Sequence, residues 1–340
     1  MLTIDGSIGE GGGQILRTSL ALSLVTGTAF RMHHIRQARA RPGLRPQHLA
    51  ALRAAAAIGE ADVDGGAVDA REIVFRPRRV RPGTYHFDVG TAGSTGLVLQ
   101  TVLLPLVMTR APSSVTLEGG THNTHAPPFD FLAEAFLPLM RRMGAGVDAE
   151  CERPGFDPAG GGRVHVEITE GPALSPLSLV HRGATRRRLA RALVSRLPRQ
   201  IAERELGIIA SRLGWPADAL QAVVLSEAAT GPGNVVLLSI ESEDVTEVFT
   251  GFGERGVRAE TVAARAADEA QRYETAGVPV GPHLADQLLL PLALAGGGAF
   301  RTMPLSLHAT TNAAVIRRFL DVSFDVVRVT DGAVDVTVRR

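Results

Sequence analysis

Glu10 stands inside the glycine run Gly9-Glu10-Gly11-Gly12-Gly13-Gln14, between an alternating apolar segment and a helix-like apolar segment. A glycine loop entering a helix offers backbone N–H groups and the positive end of the helix dipole to a phosphate. The same glycines would also serve a tight strand-to-helix turn, and their spacing does not fit the G-x-G-x-x-G dinucleotide pattern. The carboxylate narrows the choice. An acidic side chain repels a bound phosphate unless a divalent cation lies between them. Downstream come Arg17 and a Pro- and Gly-punctuated loop holding Arg36, Arg39, Arg41 and Arg45, with Gln47-His48 directly behind. Guanidinium forks bind phosphate through two parallel hydrogen bonds, so this stretch is expected to meet a phosphate-bearing substrate. The Arg186-Arg187-Arg188 run is expected on a solvated helix face.

Of the ten histidines, His33 and His34 fall in a predicted strand and His165 and His181 flank others, where structural roles are expected. His122 and His125, in Gly120-Thr121-His122-Asn123-Thr124-His125-Ala126-Pro127-Pro128, could form a metal pair but lack a third ligand, and read as loop polarity. His308 differs. It closes a strand-like run at 303–307 and precedes Ala309-Thr310-Thr311-Asn312, which can cap the next helix. A strand-end histidine facing glycine-loop helices could act as a nucleophile or as a general acid/base.

Composition removes several chemistries. The chain holds 36 basic residues, every one of them arginine. That excludes a P-loop lysine, a Schiff-base lysine and a lysyl nucleophile. The single cysteine, Cys151, excludes an internal disulfide framework and a zinc site built on several thiolates. With 36 basic against 35 acidic residues there is no global positive field, so a nucleic-acid partner must meet a local patch. The N-terminal residues read as a strand rather than an export leader. The apolar stretches at 96–108 and 288–300 are shorter than the roughly 18 residues of a span. A cytoplasmic protein without a membrane partner is expected.

The elements that must position these residues recur. Glycine loops precede apolar helices at 15–25, 97–108 and 284–295; strand-like runs follow at 30–35, 114–117 and 300–307. Second helices are predicted near 46–58, 128–143 and 311–320. Gly13 and Gly93 lie 80 residues apart, but Gly93 and Gly281 lie 188 apart, so about a hundred residues are inserted before the third repeat. The insertion is expected to open with an arginine-dense helix at 186–199 and to include a strand at 235–241 and a helix at 259–273. The expected architecture is α/β (α+β): three β-α-β-α-β-β units form a large domain, residues 1–177 and 278–340. A small α/β domain, residues 178–277, is inserted.

Over nearly its whole length the chain resembles the RNA 3′-terminal phosphate cyclases. The resemblance is carried by Asp5-Gly6 with Gly9-Glu10-Gly11-Gly12-Gly13-Gln14-Ile15-Leu16-Arg17, by Arg41-Pro42-Gly43-Leu44 with Gln47-His48-Leu49, and by Gly93-Ser94 with Leu97-Val98-Leu99-Gln100-Thr101. Further matches are Gly119-Gly120-Thr121 with Ala126-Pro127-Pro128, Pro158-Ala159-Gly160-Gly161-Gly162, His283-Leu284-Ala285-Asp286-Gln287, and His308 with Thr311-Asn312. It implies a fold akin to the enolpyruvyl transferases and a reaction in three steps. A histidine is adenylated by ATP, AMP passes to an RNA 3′-phosphate end, and the neighbouring 2′-OH closes a 2′,3′-cyclic phosphate while expelling AMP. By motif the adenylated residue would be His308, and Glu10 would position Mg²⁺ or Mn²⁺. Gln100, Pro127 and His283, Leu284, Ala285, Asp286 and Gln287 would surround the adenosine. Arg17, Arg36, Arg39 and Gln47 would hold phosphates. Some relatives carry tyrosine where this chain has His283. Non-catalytic relatives that act as scaffolds in ribosomal RNA processing lack the nucleophilic histidine, and enolpyruvyl transferases commonly use lysine, which is absent here. The insertion carries none of the motifs and is expected to be dispensable for the adenylation step.

Overall fold

The computed structural model describes residues 1–90, 92–225 and 229–340. The chain starts with β1 (Leu2–Asp5), α1 (Gly13–Thr26), β2 (Phe30–His33), α2 (Pro46–Gly59), β3 (Asp62–Asp64) and β4 (Ile73–Arg76). The four strands form one sheet in the order β1-β2-β4-β3, with β1 and β2 parallel and the other pairs antiparallel. Next come β5 (Thr84–Asp88), α3 (Thr95–Met108), β6 (Ser113–Gly119), α4 (Phe129–Phe131) and α5 (Leu137–Arg142), followed by β7 (Val147–Arg153) and β8 (Gly162–Ile168). Their sheet, β5-β6-β8-β7, repeats the same order and the same directions.

A third sheet again has this plan, but its first two strands are far apart in sequence. Its first strand, β9 (Leu177–Leu179), is followed by β10 (Thr185–Ser195), α6 (Arg199–Leu213), β11 (Leu220–Val224), β12 (Gly233–Ser242), β13 (Thr246–Phe252) and α7 (Ala259–Ala276). Only then do α8 (Pro282–Leu294), β14 (Gly297–Thr302), α9 (Leu307–Phe319), β15 (Ser323–Thr330) and β16 (Ala333–Arg339) complete it. The order is β9-β14-β16-β15, again with one parallel pair and two antiparallel ones. The intervening strands make a separate sheet, β11-β10-β12-β13.

The arginine-dense segment is a strand, β10, not the expected helix. Arg186, Arg187 and Arg188 are all exposed, and from Ala190 on both faces of the strand are covered, so the usual alternation of apolar and polar residues is absent. Ala190, Ala192, Val194, Val236 and Leu238 join one core with α6 and α7, while Leu193, Val235 and Leu237 join the larger core. The second helix of the middle repeat is also interrupted. A π-turn at Leu132–Phe136 separates α4 from α5, where Pro138 cannot donate to the helical ladder. At the third repeat the strand ends at Thr302, and Ser306 caps α9 by accepting from the Ala309 N–H at 3.2 Å. His308 therefore lies in the first turn of a helix rather than at the end of a strand. Likewise β2 ends at His33, and His34 beyond it has a positive φ of 54°.

The helices bring the repeats together. α1 packs on α2, α3 and α9, and α8 packs on α9. Among the described residues no helix is long and apolar enough to cross a membrane.

Candidate active site

Where α1, α3, α8 and α9 meet, buried polar side chains replace the apolar ones. Gln14, Thr18, Asp286 and Asn312 are each less than a tenth exposed, so each must find partners. Asp286 accepts from Gln14 Nε2 through both oxygens, at 2.6 and 2.8 Å, and from Asn312 Nδ2 at 3.1 Å and Gln287 Nε2 at 3.2 Å. Thr18 Oγ1 donates to Asn312 Oδ1 at 2.9 Å, and Gln100 Nε2 donates to Gln287 Oε1. One network thus joins all three repeats.

Its chemical consequence falls on His308. A carboxylate offers only acceptors, so Gln14 must turn its NH₂ to Asp286 and its Oε1 outward. That oxygen lies 2.9 Å from His308 Nδ1, which must carry the proton to donate. Nε2 is left with a free lone pair, 3.6 Å from Glu10 Oε1. Burial lowers the His308 pKa and the Arg17 and Arg39 charges add to this, while Asp286 opposes it. The ring is oriented, and its neutral form is favoured. Burial also raises the Asp286 pKa, against the hydrogen bonds it accepts and the charges of His308 and Arg17.

Arg17 leaves α1 one turn beyond Gly13, and among the described residues its guanidinium has no hydrogen bond or ion pair. Burial brings its pKa down to about 10, which still leaves it charged at neutral pH. Beside it lies His48, pushed down to about 3 by burial and by the charges of Arg17, Arg36 and Arg45. Several cations therefore converge on the start of α1. A Cβ on Gly13 would come within 2.3 Å of His48 Nε2 and 2.8 Å of Arg17 Nη1, so glycine is required for these groups to approach the backbone. Arg39 pairs with Glu10. Arg36 is tied into its own loop, donating to the Arg41 and Gly43 carbonyls at 2.7 and 3.2 Å. Gln47 accepts from the Ser94 N–H at 3.2 Å and links the first repeat to the second.

A cavity of about 550 Å³ opens above this network. Gln100, Pro127, His283, Asp286, Gln287 and His308 line it, and Arg17 lies at its edge. His283 is largely exposed, 4.0 Å from Glu269. Leu284 and Ala285 are buried in the core and do not line the cavity. The insertion supplies the opposite wall through Phe252, Glu254, Arg265 and Glu269, although it carries none of the motifs. His122 is not part of the cavity. It is buried with Asp130 at 2.8 Å, and Asp130 binds Arg191 of the insertion at 3.0 Å. Cys151 is no nucleophile, since burial pushes its thiol up to about 11.

Sequence reasoning gave Gln14 and Thr18 no role in the site and read Asn312 only as part of a helix cap. The signal was there for the first two. They lie four residues apart, so they share one face of a helix that is otherwise apolar.

Comparison with known proteins gives the family. The model of the RNA 3′-terminal phosphate cyclase family matches residues 8–326. The chain belongs to that family. It is 50% identical over 321 residues to an RNA 3′-terminal phosphate cyclase of Ectopseudomonas mendocina (strain ymp), covering 94% of this chain and 93% of that protein. It is 48% identical over 326 residues to the one from Koribacter versatilis (strain Ellin345), covering 96% and 92%. A Ralstonia nicotianae relative is 46% identical, covering 98% and 95%. The matched span of the cyclase family contains every residue of the His308–Gln14–Asp286 network.

Proposed function

We propose that this chain is an RNA 3′-terminal phosphate cyclase that uses ATP and works through a histidyl-AMP. The single observation that carries the reading is the orientation of His308, whose Nδ1 is tied through Gln14 to Asp286 while Nε2 faces Glu10 at the edge of the cavity. In the first step Nε2 attacks the α-phosphorus of ATP, an N–P bond forms, and pyrophosphate leaves. The RNA 3′-phosphate oxygen then displaces the histidine and takes the AMP, giving an RNA(3′)pp(5′)A end. Finally the 2′-OH loses its proton and attacks the activated phosphorus; AMP departs and a 2′,3′-cyclic phosphate remains. Gln100, Pro127, His283 and Gln287 form the adenosine side of the cavity, and Arg17, with the start of α1, receives phosphate.

Glu10 fits a role as metal ligand. Its Oε2 is buried and has no hydrogen-bond partner, as a hard carboxylate oxygen reserved for a cation would be. Mg²⁺ or Mn²⁺ held there would neutralise charge on the reacting phosphates. Arg39, now on Oε1, would share the carboxylate or move to substrate.

The scaffold alternative is opposed by the same geometry, since a non-catalytic chain has no need of an oriented histidine beside a carboxylate. The domain division at 178–277 is supported by the separate second core, and kinship with the enolpyruvyl transferase fold by the three sheets of like order. We place the protein in the cytoplasm, in keeping with RNA ends as substrate. The test is incubation of a 3′-phosphorylated oligoribonucleotide with ATP and Mg²⁺. The 3′ end should become resistant to phosphatase while AMP and pyrophosphate appear. An end that stays sensitive to phosphatase would refute the assignment.

A further inference from the structure

The C-terminal ends of the parallel strands β1 and β2 carry a second group of ligating side chains, apart from the cavity. Asp5 and His33 are register partners, so their side chains leave the sheet on the same face. The positive φ of His34 turns its ring back toward them. His33 Nδ1 lies 3.0 Å from His34 Nδ1, and His34 Nδ1 lies 3.3 Å from Asp5 Oδ1, with the two rings nearly perpendicular at 86°. All three ligand atoms lie within 4.8 Å of one another.

Hydrogen bonding alone explains this arrangement poorly. The 3.3 Å contact is long for N–H···O, while the Ser7 N–H at 3.0 Å and the Ser7 hydroxyl at 2.7 Å donate to Asp5 and hold its carboxylate in place. The two close separations do match a coordination polyhedron. With Zn–N and Zn–O bonds of about 2.0–2.1 Å, the edge of a tetrahedron is about 3.3 Å. The Ser7 contacts fix the carboxylate as an outer-shell partner would. The Asp5 and His34 side chains are 39% and 59% exposed, which leaves an entry path and room for water as fourth ligand.

We infer that Asp5, His33 and His34 bind one divalent transition-metal ion of the zinc class through an N₂O set. Imidazole nitrogens favour such borderline ions over Mg²⁺, so this site and Glu10 select different metals. The ion would clip β1 to β2 at the point where the glycine loop carrying Glu10 and the loop carrying Arg36 and Arg39 leave the sheet.

The test uses the full chain, stripped with a chelator and titrated with Zn²⁺ alone. The His308→Ala protein should still bind one equivalent and gain thermal stability from it. His33→Gln and His34→Asn should each weaken that binding at least tenfold, the order expected from loss of one ligand; asparagine tolerates the left-handed backbone at position 34. Circular dichroism of the metal-free variants should match the parent. Zinc binding that survives both substitutions but disappears in His308→Ala would place the ion in the cavity and overturn the inference. So would failure of the unmodified chain to bind zinc.

Discussion

On the α8–α9 side of the cavity the buried polar side chains hold one another: Asp286 is held by Gln14 of α1, by Asn312 of α9 and by its neighbour Gln287, and Asn312 in turn by Thr18. On the side of α1 and the arginine loop, positive charge gathers instead, and Arg17 keeps its donors free. The buried groups of the first side satisfy one another and hold His308 in one orientation. The second has spare donors and can take an anion. The difference separates orientation of a nucleophile from recognition of its substrate, on either side of one helix N-terminus.

The carboxylate facing both sides gives the largest expected effect short of removing His308. Glu10→Ala should slow self-adenylation by about 10²–10³-fold, as loss of one charge-stabilising group typically does. It should also flatten the dependence on Mg²⁺ concentration. An unchanged metal titration would remove Glu10 from the reaction.

The orienting side is tested by Asp286→Asn, which should cost roughly 10- to 100-fold in the adenylation step, the scale of one charged hydrogen bond. Asp286 raises the His308 pKa, so its loss should move the acid limb of the pH–rate profile further below histidine's ordinary 6.5. A rate loss with an unmoved limb would mean only general damage to the fold. On the binding side, Arg17→Lys should raise the apparent KM for substrate roughly tenfold, because a point charge cannot reproduce the two-pronged fork. Near-parental kinetics would make Arg17 a bystander.

These side chains also show what could be read in advance. The arginine loop and His308 were legible because charged and imidazole side chains are uncommon in cores, and the glycine loop because clustered glycines mark a turn. The repeat spacing pointed to added residues before the third glycine loop, in the stretch where β10, β11, β12 and β13 form a sheet of their own. The strand nature of β10 was not legible, because a strand covered on both faces has lost its alternation. Nor was the first turn of α9, where Ser306 rather than the later Thr and Asn residues supplies the cap. The wall contributed by Phe252, Arg265 and Glu269 depends on how the insertion folds back over α8, which spacing along the chain does not encode.

That wall leads to the smallest expected effect. Glu247 of β13 is buried and accepts the Gly281 N–H at the start of α8, and burial raises its carboxyl to about 8. The folded chain therefore holds this proton more tightly than the unfolded chain, whose value is about 4.5. The stability this provides is complete below about pH 4.5 and is lost as pH rises through 8. Glu247→Gln should flatten the fall in Tm between pH 6 and pH 9 while keeping an acceptor for Gly281. The same slope in both proteins would show that Glu247 does not titrate in this range.

The central claim is that His308 Nε2 becomes the covalent carrier of AMP. Mass spectrometry of the intact protein after incubation with ATP and Mg²⁺, followed by peptide mapping under alkaline conditions, tests it directly. The predicted result is a single AMP adduct on His308, labile to acid and stable to alkali, and absent from His308→Ala and His308→Asn. An adduct mapped to any other residue, or one that persists in the His308→Ala protein, would contradict it.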